Sequence, residues 1–158
     1  ALAVATLKKK QFSKYDFSRL HPGGNLGKQL KTVGDIMATG IKIPFISENK
    51  NMKEAIKTIS NKKFGVVIVR NSNKVTTGII TDGNIRKLRQ KNIDFQKTLV
   101  KDVMTKNPKT ISSDSLAVKA LRIMNEKKIT SLCVIKGKNS NKTTGLIHIH
   151  HILEANIE

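Results

Sequence analysis

The sequence VGDIM at Val33–Met37 recurs as VKDVM at Val100–Met104, and TTGII at Thr76–Ile80 recurs as TTGLI at Thr143–Ile147. Both pairs are 67 positions apart, whereas the residues between them match at 65 positions, because each copy has two extra residues in a different loop. Length changes confined to loops are typical of a structural repeat. We therefore predict two copies of one unit, at 33–92 and 100–158, after a separate segment at 1–32.

Each copy predicts an amphipathic helix, two strands joined by a polar turn, and a closing helix. Apolar residues at i, i+3, i+4 and i+7 indicate the first helix, with Asn49 and Asp114 as the expected N-caps. Runs rich in β-branched residues indicate the strands. The other predicted bounds are a strand at Gly65–Val69, a strand ending at Ile80 and a helix at Asn84–Lys91 in the first copy, and a strand at Ser131–Ile135, a strand ending at Ile147 and a helix at about Ile149–Asn156 in the second. A unit of roughly 55 residues buries too little core to fold alone, so we expect the two to pack as one pseudo-symmetric domain.

This order of elements, with DIM or DVM before it and TTGIITDGNI after the first hairpin, resembles a tandem pair of CBS domains, the Bateman module. The resemblance covers Val33–Glu158. It implies an α/β fold of the α+β type with pseudo-two-fold symmetry. It also implies a regulatory module that binds adenosyl or other nucleotide-like ligands in clefts between the copies.

The net charge of +19 is the extreme feature of the composition, and lysines that neutralise phosphates would suit a nucleic-acid partner. Yet 25 of the 30 basic residues are Lys, spread along the whole chain, and Asn and Ile are also abundant, which indicates codons rich in A and T. Aromatic residues make up 4% of the chain, with no Trp, which leaves few platforms for stacking single-stranded bases. We therefore expect a solvated basic surface and no nucleic-acid partner.

Cys133 is the single cysteine and lies in the predicted strand SLCVI. We expect a buried structural thiol and no intrachain disulfide. No apolar run approaches the roughly 18 residues that span a membrane, and the sequence shows no signal peptide. We therefore expect a cytoplasmic protein with no membrane partner.

The first 32 residues contain ALAVATLKKK, which is typical of the second half of a packed helix, and a His21-Pro22-Gly23-Gly24 turn. Pro fixes φ and the glycines permit a tight bend with exposed backbone N–H groups. Two interpretations of His21 stay open. It is either an ordinary surface histidine in a linker, or a histidine delivered to an active site, since imidazole is suited to proton transfer near neutral pH.

The whole chain, from ALAVATL and HPGG through TDGNIR to GLIHIHHIL, resembles the C-terminal part of bacterial D-arabinose 5-phosphate isomerases. In that family the apolar segment is the last helix of a sugar isomerase (SIS) domain. The resemblance implies a parent enzyme that interconverts D-ribulose 5-phosphate and D-arabinose 5-phosphate, a step toward the Kdo sugar of lipopolysaccharide. It also implies a parent that is typically tetrameric and needs no cofactor. Paralogous isomerases of sugar-alcohol or capsule pathways share the pattern and stay as alternatives.

An aldose–ketose isomerisation needs a base beside the carbonyl, an acid at the carbonyl oxygen and a site that stabilises the enediol. His21 matches the family's motif histidine, which is implicated in catalysis or ring opening. The acidic residues, the lysine and the phosphate-binding loop of the SIS domain are not in this sequence. We therefore expect the chain by itself to be inactive.

The resemblance to CBS domains implies ligand contacts from a Thr or Ser and an Asp three residues later. The first copy offers Thr81 and Asn84, with Asp82 between them, and the second offers His148 and His151. Asn lacks the charge that grips a ribose diol, so we expect weaker binding than the family pattern gives.

The cluster His148, His150 and His151 admits a metal site, a polar cleft lining or simple surface, and no cysteine or well-placed carboxylate completes a metal site. We expect no metal and a cleft made cationic by histidines and lysines. The hypothesis that follows is sensing of a sugar nucleotide such as activated Kdo. Two alternatives remain: a structural module that only mediates self-assembly as a dimer, and a nucleotide sensor of another protein, against which HPGG argues.

Overall fold

A computed structural model describes residues 25–158, which form seven helices and seven strands. In chain order these are α1 (Asn25–Gln29), α2 (Val33–Ile36), a 3-10 turn (Gly40–Lys42), β1 (Phe45–Ser47), α3 (Met52–Lys62), β2 (Val66–Arg70), β3 (Thr76–Thr81), α4 (Asp82–Gln90), α5 (Val100–Val103), β4 (Thr105–Lys106), β5 (Thr110–Ser112), α6 (Ala117–Lys127), β6 (Ser131–Ile135), β7 (Thr143–His148) and α7 (Ile149–Glu154). The predicted α/β class is confirmed, and the order helix, strand, strand, helix is present in both copies.

Each copy builds its own sheet around a hairpin. Strands β2 and β3 are antiparallel, as are β6 and β7, and each hairpin has a register shift at the same place, at Val69/Arg70 and at Val134/Ile135. The sequence did not predict β1 and β5, which pair in parallel with β2 and β6. Three residues are too few to establish an alternating pattern, so these strands have no periodic signal. The two-residue strand β4 adds to the first sheet beside β3.

The predicted N-caps of α3 and α6 are wrong. Asn51, not Asn49, caps α3: its Oδ1 accepts the backbone N–H of Glu54 at 3.0 Å, and the Glu54 carboxylate accepts the N–H of Asn51 in return. This capping box needs an acidic residue at N3, which the register starting at Asn49 lacks. Helix α6 begins at Ala117, and its N-cap Leu116 makes no side-chain hydrogen bond, so Asp114 lies outside the helix. Helix α4 starts two residues before the predicted Asn84, directly after β3.

The short helix that leads into each copy packs against the other copy. Val33 of α2 is buried in the core of the second copy, and Val100 of α5 is buried in the core of the first. A Cβ added to Gly78 of β3 would lie 2.7 Å from Sδ of Met104, and a Cβ added to Gly145 of β7 would overlap Met37 in the same way. Each glycine therefore leaves room for the methionine of the opposite lead-in. Helices α2 and α5 therefore each complete the hydrophobic core of the other copy, so neither copy has a complete core by itself.

A third apolar cluster lies between the two sheets and contains Ile68, Cys133 and Leu146. Nearby, the hydroxyls of Thr76 and Thr143 form a hydrogen bond of 2.6 Å. These two residues occupy the same position in the two copies, and a residue that contacts its own equivalent lies on the axis relating them. Burial raises the pKa of the Cys133 thiol to about 11, as suits the expected structural cysteine.

Candidate functional site

A cavity of about 840 Å³ lies between the copies, where β3 passes into α4 and β7 passes into α7. Its wall includes Thr81, Asp82 and Gly83 from the first junction, and His148, Ile149 and His150 from the second. These two triplets are equivalent in the repeat, at a separation of 67 positions. The cavity therefore has two halves that are related by the fold but differ in their side chains.

In the first half, Thr81 and Asn84 hydrogen-bond to each other. The Thr81 hydroxyl accepts the backbone N–H of Asn84 at 3.2 Å and donates to Asn84 Oδ1 at 2.9 Å. Asn84 Oδ1 also accepts the N–H of Thr81, and Asn84 Nδ2 donates to the hydroxyl of Thr105. Asn84 thus holds the start of α4 and does not line the cavity. Asp82 is exposed, with its N–H donating to the carbonyl of Gly65, and its carboxylate is available at the cavity wall.

In the second half, two histidines replace this capping pair. His148 Nδ1 accepts the backbone N–H of His150 at 3.1 Å, and His151 Nδ1 accepts the backbone N–H of His148 at 3.1 Å. An Nδ1 that accepts carries no proton, so in each neutral ring the proton resides on Nε2. The His151 ring lies edge-on to Phe64, with centroids 5.3 Å apart, and does not line the cavity.

Burial, together with smaller contributions from positive charge on His150 and His151, lowers the pKa of His148 to about 4. Burial likewise lowers the pKa of His151, although Glu154 opposes the shift. Both pKa shifts favour the neutral rings, so the positive charge expected of the cleft is not attributed to His148 or His151. The positive charge comes instead from four side chains on the cavity wall: Lys63, Arg86, Lys109 and Lys128.

The histidine cluster does not have the arrangement of a metal site. Two of its nitrogens already accept backbone N–H groups. Within residues 25–158, no three His, Cys, Asp or Glu side chains are grouped so that they could hold a metal ion. The geometry favours a polar cavity lining over metal binding.

The structure brings together three of the sequence-predicted site residues, Thr81, Asp82 and His148, on one cavity wall. Asn84 and His151 lie directly behind them and fix the helix starts, and His21 lies outside the described residues. The basic residues of the wall were not among the site residues predicted from the sequence. A signal was present for two of them, because Lys63 and Lys128 are 65 positions apart and occupy the same left-handed C-cap position after α3 and α6.

None of the helices within residues 25–158 combines the length and the apolar character needed to cross a membrane.

Residues 33–91 and 100–158 each match the family described as the CBS domain. The sequence is 36% identical over 158 residues to "Arabinose 5-phosphate isomerase KdsD" of Yersinia pestis, and 38% identical over 155 residues to the protein of the same name from Francisella tularensis. These alignments cover 99% and 98% of this chain but 47% and 46% of the relatives, so the chain spans about half their length. The resemblance to this group of isomerases is thereby confirmed.

Solved structures of CBS-domain pairs share the fold. CBSX2 from Arabidopsis thaliana has a TM-score of 0.68 at 20% identity, with 79% of this chain and 93% of that chain covered. Crystallised with AMP, CBSX2 has a TM-score of 0.66 at 22% identity, covering 79% and 95%. The CBS-domain pair of protein MJ0100, in complex with 5'-methylthioadenosine and S-adenosyl-L-methionine, has a TM-score of 0.69 at 20% identity, covering 79% and 94%. The predicted tandem arrangement is confirmed.

Proposed function

Because the chain belongs to the CBS domain family and carries that domain twice, we propose that it is a regulatory pair that binds a phosphate-bearing nucleotide in the cavity between its copies. The observation that carries the proposal is the composition of the cavity wall. Four basic side chains meet one carboxylate, that of Asp82, beside an apolar surface that includes Val66, Ile79 and Leu146. A nucleotide combines a flat, weakly polar base with anionic phosphate, so both kinds of surface have a counterpart in the ligand.

The size of the cavity agrees with this class of ligand. Small-molecule sites commonly have volumes of about 300–1,000 Å³, and this one has about 840 Å³. AMP in CBSX2 and the adenosyl compounds in MJ0100 support nucleotides as the class to test. The sugar nucleotides expected from the sequence, including activated Kdo, carry the same base and phosphate groups and belong in the same panel.

The similarity to the isomerases supports a parent that interconverts D-ribulose 5-phosphate and D-arabinose 5-phosphate, with the CBS pair regulating that step or its assembly. In this proposal His21 serves proton transfer or ring opening together with residues of a SIS domain. We expect no isomerase activity from these 158 residues alone, because only 1–32 are assigned to that domain. An assay of the purified chain on D-arabinose 5-phosphate tests this directly, and measurable turnover would contradict it.

Thermal unfolding with AMP, ATP, CMP and sugar nucleotides of lipopolysaccharide synthesis tests the binding proposal. A ligand that binds only the folded state stabilises it by about 2.7 kcal/mol at 100 times its dissociation constant, which raises the unfolding midpoint by several degrees. The double variant Lys63→Gln and Lys128→Gln removes one basic side chain from each half of the wall and should reduce the shift. Lys57→Gln is the matched control, because Lys57 is exposed on α3 and does not line the cavity.

If no nucleotide raises the midpoint, the proposal of a sensor fails and self-assembly becomes the better function. Two exposed apolar side chains favour that second candidate: Ile41 is 90% exposed and Leu153 is 55% exposed. Sedimentation velocity of the wild type and of Leu153→Ser would then decide, since a dimer held by contacts of the Leu153 side chain should dissociate in the variant.

A further inference from the structure

His148 is buried, with 7% of its surface exposed, and yet its ring forms part of the cavity wall. Its Nδ1 is engaged by the backbone N–H of His150, which leaves the proton on Nε2. Among residues 25–158 no side chain or carbonyl accepts that Nε2–H, and no fully enclosed side-chain nitrogen or oxygen lacks a partner there. Nε2 is therefore accessible, and the cavity is the open space that the ring meets. This donor thus faces the cavity with no partner among the described residues, and an acceptor atom of a ligand can take its hydrogen bond.

The equivalent residue of the first copy has no free donor. The hydroxyl proton of Thr81 goes to Asn84 Oδ1, and the free polar group at that junction is the Asp82 carboxylate, an acceptor. In the second copy Ile149 stands where Asp82 stands in the first, so no carboxylate competes for the His148 proton. The first half of the cavity thus presents an acceptor to a ligand, and the second half presents a donor.

We propose that His148 is the specificity-determining residue of the second half of the cavity, where Nε2–H donates a hydrogen bond to an acceptor oxygen of the ligand. This oxygen belongs either to a phosphate or to a carbonyl of the base, and both are acceptor-only groups. The inference deepens the proposed function and rests on it. It assigns His148 a role beyond capping α7, because a threonine suffices for capping, as Thr81 shows at the start of α4.

The variant His148→Thr separates the two roles. It places in the second copy the residue that caps the first, so the helix start keeps its hydrogen bond while the Nε2–H donor is lost. His151→Asn is the matched control: it copies Asn84 at the equivalent position, and it changes a residue that caps without lining the cavity. Urea unfolding of both variants establishes that each is folded at the temperature of the binding measurements.

Isothermal titration calorimetry with AMP, IMP and adenosine identifies the acceptor. AMP and IMP differ at the 6-position, where an amino group is replaced by a carbonyl, and adenosine lacks the phosphate. If His148 binds a phosphate oxygen, His148→Thr weakens AMP and IMP equally, by roughly tenfold or more, and leaves adenosine unchanged. If it binds the carbonyl, only IMP weakens. Either pattern supports the proposal. In both cases we expect His151→Asn to bind all three compounds with an affinity close to that of the wild type.

The proposal is overturned if His148→Thr binds all three compounds as the wild type does, or if it weakens adenosine as much as AMP. Equal losses in His148→Thr and His151→Asn would also overturn it, because they would point to the helix start and not to the donor. The wild type is also titrated with ATP and the sugar nucleotides under the same conditions. If it binds none of these and none of the three compounds above, the proposed nucleotide site fails and the role of His148 fails with it. If the wild type binds a nucleotide and His148→Thr binds it equally well, the proposed nucleotide site stands and only the role of His148 is contradicted.

Discussion

The two strand–helix junctions of this protein solve the same structural problem with different chemistry. At the first, the oxygens of Thr81 and Asn84 accept the backbone N–H groups at the start of α4. At the second, the Nδ1 atoms of His148 and His151 do the same at the start of α7. The comparison shows that the repeat preserves the geometry of a capping box while the residue types change. The change of residue type alters the polar group that each junction presents to the cavity, and it makes the second junction sensitive to pH.

The largest expected effect comes from a feature that the two copies share, the close approach of a lead-in methionine to a strand glycine. In Gly78→Ala the new Cβ would lie 2.7 Å from both Met104 Sδ and the carbonyl oxygen of Thr105. The methionine can move, but the backbone carbonyl cannot without shifting β4. We expect a loss of about 3 kcal/mol in the free energy of unfolding, measured by urea denaturation, with a similar loss for Gly145→Ala.

Gly83→Ala is the control for this pair. Gly83 lies in the first turn of α4, and the atom nearest its added Cβ is the Thr81 hydroxyl oxygen at 3.6 Å, an ordinary contact. Alanine is the better helix former, so the change should be neutral or stabilising by up to about 1 kcal/mol. If Gly78→Ala were as stable as Gly83→Ala, the lead-in helices would not be packed across the copies as the structure has them.

The second-largest effect is expected at the histidine pair, where the two junctions differ. The pKa of His148 in the folded chain, about 4, lies below its ordinary value near 6.5, so between these values the unfolded chain binds the proton more readily. This contribution to stability is fully present above pH 6.5 and is lost as the pH falls toward 4. The double variant His148→Thr and His151→Asn should remove it, so the wild type should lose on the order of 2 kcal/mol more than the variant between pH 7 and pH 4.

Urea denaturation at a series of pH values measures this difference, and the wild-type and variant curves share every other titrating group. The charged groups that face the pair are His150 at His148, and Glu154 and Lys42 at His151. Positive charge on His150 lowers the pKa of both His148 and His151 and so acts in the same direction as burial. Parallel curves would show that the two histidines titrate as ordinary surface groups.

The sequence predicted those parts of the fold that depend on local pattern. The apolar stripe of α3, the two hairpins and the repeat itself are all legible from spacing, and the structure contains each of them. The three-residue parallel strands and the crossing of α2 and α5 were not predicted, because their stability comes from contacts distant in sequence. For the same reason the direction of each hydrogen bond at Asn84 and His148 could not be predicted. Residue type identifies the junctions as candidate sites, but only the fold shows which nitrogen or oxygen remains for a ligand.

The smallest expected effect concerns the starts of α3 and α6, the first long helix of each copy. The first copy has a side-chain cap there, and the second copy lacks one. Asn51 caps α3 with a reciprocal bond from Glu54, whereas the equivalent positions in the second copy are Leu116 and Lys119, with no side-chain cap. Asn51→Ala should therefore destabilise the protein by about 1 kcal/mol, and Leu116→Ala should not show a cap loss.

The cap that α6 lacks can be introduced by substitution. Leu116 already has the extended backbone of an N-cap, with φ −65° and ψ 141°, and its side chain is 39% exposed. Leu116→Asn alone should stabilise by roughly 0.5 kcal/mol, since it supplies one bond to the helix start but gives up some apolar contact. Adding Lys119→Glu completes the box and should bring the gain to about 1 kcal/mol, measured as a rise in the urea midpoint at unchanged slope. If the double variant gains nothing over Leu116→Asn, then the Glu54 carboxylate is not a significant part of the first cap either. The difference between the two helices would then rest on Asn51 alone.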